Sequence, residues 1–244
     1  MKLFALLTLL LSSVAHGAGG GAETQKVNND LSNVNSLQRG AKYFVNYCLG
    51  CHSAKYVRYN RLAEDLNLSE DQLIGNLMFT ADKPHEPIDI AMSSTDAERW
   101  FGIAPPDLSL IARSRNPDWL YTYLRSFYVD ESSSFSTNNL LLPGSSMPNP
   151  LWELQGLQRA VFHEATDDAG NMHMEFQEFV PLTEGTMSSA EFDDAIRDIV
   201  NFLEYIGEPV KLQRQKIGIY VIAFLLLFFL FAYLLKKEIW SSVH

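Results

Sequence analysis

Cys48-Leu49-Gly50-Cys51-His52 is the stretch that decides the fold and the chemistry of this 244-residue chain. Cys-x-x-Cys-His is the spacing at which haem c is attached, because two thiols three positions apart can each form a thioether to one haem vinyl group. The adjacent histidine then reaches the iron from the proximal side. Cys48 and Cys51 are also the only 2 cysteines in the sequence. The stretch therefore predicts one covalently bound haem c, with His52 as the first axial ligand of its iron.

Other uses of a Cys-x-x-Cys pair fit this sequence less well. A zinc knuckle needs two further ligands at metal spacing, and the sequence has no third cysteine for a site made of four cysteines or of three cysteines and a histidine. A thioredoxin-like redox pair lies at the start of a helix that follows a strand, whereas residues 36–47 predict an amphipathic helix leading into the motif. A structural disulfide or a redox pair is the alternative to haem attachment.

The N-terminus has the layout of a secretory signal peptide over residues 1–17. Lys2 is followed by the apolar run 3–11 and then by small residues. Cleavage after Ala15 or after Gly17 satisfies the small-residue rule equally well. Export places the cysteines outside the cytoplasm, where haem c is attached. Residues 18–35, rich in Gly and Asn, predict an extended N-terminal arm.

A second hydrophobic segment, residues 217–235, predicts a single transmembrane helix. It contains 19 residues without a charge, and at about 1.5 Å rise per residue it just spans a bilayer core of roughly 30 Å. Basic residues flank both ends and do not fix its orientation. The signal peptide fixes it instead, so residues 36–210 are expected outside the cytoplasm as the haem domain. Residues 236–244 are expected as a short cytoplasmic tail.

The excess of acidic residues indicates which kind of macromolecule the chain is expected to bind. A formal net charge of −10 disfavours nucleic acid and favours a basic soluble protein as the partner. Four acidic pairs are candidates for steering such a partner, although each pair also matches an ordinary solvated loop: Glu64-Asp65, Glu70-Asp71, Asp130-Glu131 and Asp167-Asp168.

The predicted haem domain is mainly helical with long loops. Helix starts are predicted at Ser69-x-x-Gln72, Thr95-x-x-Glu98, Ser188-x-x-Glu191 and Asn116-Pro117. The last helix is the clearest, because its apolar residues share one face and Gly207 with Pro209 ends it. That face comprises Phe192, Ile196, Ile199, Val200, Leu203 and Ile206. The strand signal is a hairpin of residues 161–165 and 172–176 around Asp167-Asp168-Ala169-Gly170.

The second axial position of the iron decides between electron transfer and ligand chemistry. A methionine thioether favours the reduced iron and a high potential. Met147 is the leading candidate, because the three prolines of residues 142–150 stiffen the loop that carries it. Met78 falls in a helical pattern typical of the core, while His173 and the methionines beside it, Met172 and Met174, are weaker candidates. An open second position would indicate a haem enzyme or a gas sensor.

These motifs resemble, in order, those of the cytochrome c1 family. The four matching stretches are Cys48-Leu-Gly-Cys-His-Ser53, Ala104-Pro-Pro-Asp-Leu-Ser109, Met147-Pro-Asn-Pro150 and Asp198-Ile-Val-Asn-Phe-Leu-Glu-Tyr-Ile-Gly-Glu-Pro209. The resemblance covers nearly the whole mature chain and is closest to the short bacterial form. It implies a class I cytochrome c-like haem domain and a C-terminal membrane anchor.

The same resemblance implies roles for individual residues. Met147 is implied as the sixth iron ligand. Pro105 and Pro106 are implied to pack on the haem, and Arg115, or alternatively Arg113, to meet a haem propionate. The sequence departs from some family members at Trp100, where they carry a polar residue near the haem.

Function and location follow from the resemblance. It implies a non-enzymatic electron-transfer subunit of the ubiquinol:cytochrome c oxidoreductase (cytochrome bc1) complex, in contact with membrane lipid. The subunit would take one electron from a Rieske iron-sulfur protein beside cytochrome b and pass it to a soluble cytochrome c. The expected setting is a dimeric complex in a bacterial cytoplasmic membrane, with the haem domain in the periplasm. The alternative is an independent membrane-tethered cytochrome c that shuttles electrons.

Overall fold

The computed structural model describes residues 23–166 and 170–241. Helices dominate this part of the chain, as predicted. They are α1 (Val34–Tyr43), α2 (Tyr59–Asp65), α3 (Glu70–Asn76), α4 (Ser94–Phe101), α5 (Ile111–Arg115), α6 (Pro117–Arg125), α7 (Trp152–Gln155), α8 (Ser189–Gly207) and α9 (Lys211–Ser241). The strands pair antiparallel as β1 (Ala54–Arg58) with β2 (Pro87–Ile88), β3 (Phe127–Val129) with β4 (Thr137–Asn139), and β5 (Gln158–Thr166) with β6 (Met172–Pro181).

The core is organised by the crossing of α1 over α8. A Cβ atom added at Gly40 would lie 2.1 Å from the carbonyl oxygen of Asp198 and 2.7 Å from Cβ of Phe202, so only glycine allows the two helices to approach this closely. Next to this contact the rings of Phe44 and Phe202 lie 5.5 Å apart. The predicted apolar face of α8 is buried along its whole length and is confirmed. The crossing fixes the direction in which α1 delivers Cys48.

A polar cluster holds the described part of the N-terminal arm beside this crossing. The buried Asp198 carboxylate accepts hydrogen bonds from Ser36 Oγ at 2.6 Å and from both Nε and Nη2 of Arg39. Asn201 donates to the carbonyl oxygen of Asp30 at 2.9 Å. The arm also lies on α6, because the backbone N–H of Val27 donates to Asp118 at 3.0 Å. Satisfied hydrogen bonds of this kind keep the buried charge from destabilising the core.

The helix-start predictions are confirmed at three places and wrong at one. Capping boxes form at Ser69 and Ser188, and Asn116 caps α6 with Pro117 in the first turn. The predicted cap at Thr95 is wrong, because Thr95 already lies inside α4 and Ser93 accepts the hydrogen bond from the N–H of Asp96. A hydroxyl residue is followed three positions later by an acidic residue at two places in this stretch, Ser93 with Asp96 and Thr95 with Glu98. The helix starts at the first place, because serine is a stronger N-cap residue than threonine.

The predicted hairpin is confirmed and is longer than its sequence signal. Strands β5 and β6 pair from Gln158 opposite Pro181 to Thr166 opposite Met172, with an irregularity between Val161 and Phe162. The turn residues 167–169 lie outside the described part of the chain. The strands β1 to β4 have no counterpart in the sequence predictions, because runs of two to five residues are too short to show a strand period.

The C-terminal helix α9 extends beyond the predicted membrane segment on both sides. Its 31 residues contain an 18-residue window of mean hydropathy 2.7, and its side chains are not buried against the rest of the described chain. It is thus long and apolar enough to cross a membrane. The polar flanks stay helical because Lys, Arg, Gln and Glu are good helix formers. Of the predicted cytoplasmic tail, residues 236–241 continue this helix, while residues 242–244 and the predicted signal peptide lie outside the described residues.

The junction between α8 and α9 is held by ion pairs. Arg214 of α9 donates to Glu208 through Nε and, at 3.1 Å, through Nη2. Nη1 of Arg113 lies 3.8 Å from the same carboxylate, and Lys211 bonds Glu204 at 2.5 Å. The cations bonded to Glu208 hold its pKa below the ordinary glutamate value, Arg214 most of all. The direction in which α9 leaves the domain is therefore tied to α5 and α8.

Candidate haem site

The Cys-x-x-Cys-His stretch follows α1 through one π-helical turn, Phe44–Cys48. Such turns are rare and recur at functional sites. The next residues fold back, because the backbone N–H groups of Cys51 and His52 both donate to the carbonyl oxygen of Cys48, at 3.0 and 2.8 Å. The tight turn brings both cysteines and the histidine together at the end of the helix. The predicted helix leading into the motif is confirmed.

Cys48 and Cys51 are not joined in a disulfide, and Cys48 is buried while Cys51 is half-buried. Burial raises the pKa of Cys48 to about 12 and also raises the pKa of Cys51. A redox-active cysteine has the opposite character, since its reactivity depends on a stabilised thiolate. Within residues 23–166 and 170–241 there is also no cluster of three or more His, Cys, Asp and Glu side chains suited to a metal ion. The raised pKa of both thiols argues against a reactive redox pair.

His52 is held in one tautomer by the loop that follows α4. Its Nδ1 lies 2.8 Å from the carbonyl oxygen of Pro106, so Nδ1 carries the proton and donates it. The lone pair then lies on Nε2, which is the usual arrangement of a metal-binding histidine. Burial lowers the pKa of His52, although the Pro106 carbonyl acts in the other direction. The imidazole is therefore neutral, as a ligand must be.

Asp107 joins this loop to the strand that leaves the Cys-x-x-Cys-His stretch. Its Oδ2 accepts from Ser53 Oγ and from the backbone N–H of Lys55, both at 2.8 Å, while Oδ1 accepts from the N–H of Ser109 at 2.9 Å. Partial burial acts to raise the pKa of Asp107, but these hydrogen bonds outweigh it and the pKa lies below the ordinary value. The Leu108 N–H also donates to the Ser53 carbonyl at 2.8 Å. The Ala-Pro-Pro-Asp-Leu-Ser stretch is thus the support that presents the Pro106 carbonyl to His52.

Met147 lies in a loop anchored by two asparagines at the end of β4. The buried Asn139 accepts from the N–H of Leu141 at 3.0 Å, and Asn138 accepts from the N–H of Gly144 at 2.8 Å. The Met147 side chain is partly buried and packs against the same core cluster that contains Cys48. Its sulfur lies 3.5 Å from the hydroxyl of Tyr123. The structure thus packs the predicted ligand loop onto the same core that buries Cys48.

The two candidate arginines point to different places. The Arg115 guanidinium lies 5.2 Å from the centre of the Trp119 ring, and Trp119 stacks on Tyr123 at 4.8 Å. Arg115 therefore belongs to the row of side chains that reaches Met147. Arg113 instead packs along Gly207 and faces Glu208 at the junction with α9.

The remaining candidates lie elsewhere. Met78 is buried in the core, as predicted, but the predicted helical position is wrong, because α3 ends at Asn76 before it. Met172 and Met174 are 70% and 60% exposed on the hairpin, with His173 between them also exposed. Trp100 is exposed on α4. Among the predicted haem-packing prolines, Pro105 is half-buried and Pro106 is exposed at its ring while its carbonyl binds His52.

Two residues that support the Met147 loop were not predicted from the sequence, Tyr123 and Asn139. The spacing of Trp119, Tyr123 and Phe127, four residues apart, was a usable signal, because such residues share one helix face. Asn139 left a weaker signal, an amide directly before three leucines, and its burial appears only in the structure.

Comparisons with known proteins bear directly on this arrangement. The model of the cytochrome C1 family matches residues 28–243. Cytochrome c1 of Allochromatium vinosum is 48% identical over 99% of this chain and 98% of its own length. A protein of Nitrosomonas europaea named ammonia monooxygenase gamma subunit is 43% identical over 99% of this chain and 98% of its own length. Cytochrome c1 of Rhodospirillum rubrum is 27% identical over 85% of this chain and 81% of its own length. With a family match over almost the entire described chain and a close relative matched end to end, the chain belongs to the cytochrome C1 family and carries the one covalent haem c of that family.

Proposed function

We propose that this chain is the haem-bearing subunit of a ubiquinol:cytochrome c oxidoreductase, passing single electrons from a Rieske iron-sulfur protein to a soluble cytochrome c. Membership of the cytochrome C1 family supports the electron-transfer role. The observation that carries the site is the 2.8 Å contact between Nδ1 of His52 and the Pro106 carbonyl, in the same tight turn as Cys48 and Cys51. It leaves Nε2 of a neutral imidazole as the donor at the attachment motif.

The donor set fits a covalently attached haem. Cys48 and Cys51 would form the thioethers, and His52 and Met147 would supply the two axial ligands. The bound group supplies one-electron chemistry at its iron, while the protein supplies binding, orientation and electrostatics. With both residues as ligands the iron would have no open coordination site, which favours electron transfer over a haem enzyme or gas sensor. The subunit on its own breaks no bond and is not an enzyme.

The chain's own residues keep this site rigid. The hydrogen bonds to Asp107 hold the loop that orients His52. A different segment, the loop anchored by Asn138, holds Met147. Rigid ligands keep the reorganisation that accompanies electron transfer small. Arg115 would meet a haem propionate and favour the reduced state electrostatically, since Arg113 is engaged with Glu208.

Membrane placement follows from α9 and the predicted signal peptide. The exposed apolar surface of α9 is suited to lipid and to transmembrane helices of a partner such as cytochrome b. We propose that the haem domain lies in the periplasm of a bacterial cell and that the complex is dimeric.

The surroundings of the acidic pairs indicate which carboxylates can attract the soluble partner. Asp65 is paired with Arg61, which compensates its charge, whereas the hydrogen bonds from Ser132 and Asn138 leave Asp130 fully charged. The carboxylates that remain from the described pairs are Glu64, Glu70, Asp71, Asp130 and Glu131, all exposed except the half-buried Asp130. These are the groups expected to steer a basic cytochrome at low salt.

Purification of the native complex in mild detergent tests the proposal. Haem b, an iron-sulfur subunit and quinol-to-cytochrome c activity should accompany haem c in one complex. Haem c alone, without quinol activity, would instead establish an independent tethered shuttle. Copurification with an ammonia-oxidising assembly would connect the chain to the function named for the Nitrosomonas europaea relative.

A further inference from the structure

The hydroxyl of Tyr123 contacts two groups of the loop that carries Met147. It lies 3.5 Å from the Met147 sulfur and 3.0 Å from Ser145 Oγ. A thioether sulfur is a weak hydrogen-bond acceptor with more than one lone pair. One lone pair can accept a hydrogen bond while another is available to a metal.

The direction of the hydrogen bonds follows from the donors present. The backbone N–H of Met147 donates to Ser145 Oγ at 3.3 Å. Ser145 Oγ can then donate its own hydrogen to Tyr123, which leaves the phenolic hydrogen for the sulfur. The result is a closed circuit from the Met147 N–H through Ser145 and Tyr123 to the Met147 sulfur. Such linked hydrogen bonds polarise and strengthen one another in a buried setting.

The tyrosine ring is fixed by its neighbours, so the hydroxyl has little freedom to turn away. Trp119 stacks on the ring at 4.8 Å with an interplanar angle of 11°, and Phe127 meets it edge-on at 5.1 Å. Tyr123 as a whole is 7% exposed. At the backbone, Asn139 donates to the Tyr123 carbonyl oxygen at 2.8 Å and so joins α6 to the Met147 loop. Helix, ring and loop form one unit.

We propose that Tyr123 is a positioning residue for the axial thioether and tunes the reduction potential of the site. Its hydroxyl aims the Met147 side chain and withdraws electron density from the sulfur. A weaker sulfur donor stabilises ferric iron less than ferrous iron, so the hydrogen bond raises the reduction potential. The inference rests on the proposed role of Met147 as the axial ligand.

The test compares three variants of the full-length protein in membranes. Tyr123→Phe keeps both ring contacts and removes the hydroxyl. We expect its reduction potential to fall, equivalent to roughly a two- to five-fold shift of the equilibrium with a fixed redox partner toward the oxidised form. The sulfur-to-iron charge-transfer band of the ferric protein should shift with it. Ser145→Ala, which removes the hydrogen bond to the Tyr123 hydroxyl and the acceptor of the Met147 N–H but keeps the hydroxyl itself, should give a smaller change of the same sign.

Tyr121→Phe is the matched control. Tyr121 is buried on the same helix, and its ring lies under Arg125 at 4.9 Å. This variant should keep the wild-type potential and band. Equal potentials and bands in Tyr123→Phe and Tyr121→Phe would overturn the inference. If Tyr123→Phe does not accumulate as a haem protein, an unchanged potential in Ser145→Ala overturns it instead.

Failure of the proposed ligand gives a different result. A Met147→Leu protein that keeps the wild-type charge-transfer band would show that another residue ligates the iron. That outcome removes the ligand assignment itself. A band that is present in the wild type, lost in Met147→Leu and unchanged in Tyr123→Phe removes only the role of the tyrosine.

Discussion

The two sides of the candidate haem site are built differently. The His52 side is supported mainly through the backbone: a helix end, a tight turn and a proline carbonyl braced by Asp107. The Met147 side depends on a long loop anchored by asparagine side chains and on the hydroxyl of Tyr123. Backbone support tolerates side-chain change and preserves geometry. Side-chain support is easier to vary, so the Met147 side is where the potential can be adjusted.

The largest effect should come from breaking the helix crossing that both sides share. In Gly40→Ala the new methyl group would collide with the Asp198 carbonyl, 2.1 Å away. The carbonyl group belongs to the backbone of α8 and cannot move aside as a flexible side chain could. We therefore expect a loss of about 3 kcal/mol or more in folding stability and little accumulated holoprotein. Chemical denaturation and haem content measure this. Gly75→Ala, where an added Cβ has no neighbour within 4 Å, is the control, and equal stability of the two variants would contradict the account of the crossing.

Next in size is removal of the thioether. Met147→Leu should keep the covalent haem but lose the low-spin ferric spectrum and admit added imidazole, because the distal position opens. Met78→Leu, in which a buried core methionine is replaced, should leave the spectrum unchanged. An unchanged spectrum in both variants would assign the second ligand to another residue.

Weakening the support of His52 should have a moderate effect. Asp107→Asn replaces a charged acceptor of several hydrogen bonds, and we expect a loss of about 1 kcal/mol in stability. The pKa of Asp107 is lower in the folded than in the unfolded protein. The contribution of its carboxylate to folding stability is therefore complete above the unfolded pKa of about 3.9 and is lost as the pH falls through the lower pKa of the folded protein.

Chemical denaturation near neutral pH and in acid should therefore show that the difference in folding stability between wild type and Asp107→Asn becomes smaller as the pH falls. Asp89→Asn is a suitable control, since its ion pair with Lys55 at 3.3 Å is exposed and contributes little. A gap of constant size across this pH range would contradict the role given to the Asp107 carboxylate.

The smallest effect concerns the two arginines. Arg115→Gln should lower the reduction potential slightly, since a cation beside a propionate favours the reduced haem. Arg113→Gln should leave the potential unchanged, because Arg113 faces Glu208. Potentiometric titration of both variants makes the comparison, and the reverse order would exchange the two assignments.

Local signals in the sequence predicted the elements whose causes are local. The caps at Ser69, Asn116 and Ser188, the final helix of the domain and the hairpin all follow from spacing within a few residues. The error at Thr95 also has a local origin, since two cap patterns of the same spacing overlap there. The haem-attachment motif could be predicted for the same reason.

Contacts between distant segments could not be predicted in this way. The need for glycine at position 40 depends on the carbonyl of Asp198, which lies 158 positions later in the chain. The bond from His52 to the Pro106 carbonyl and the contact of Tyr123 with Met147 likewise join segments that only the fold brings together. The family resemblance, not periodicity, indicated that the Ala-Pro-Pro-Asp-Leu-Ser stretch belongs to the site.

The most direct test of the account is near-infrared magnetic circular dichroism of the ferric, full-length protein in membranes. This measurement distinguishes a thioether from a second nitrogen ligand on low-spin haem iron. The account predicts the signature of one histidine and one methionine, lost on Met147→Leu. A signature of two nitrogen ligands, or of high-spin iron, would contradict the pairing of His52 with Met147 on which the proposed function rests.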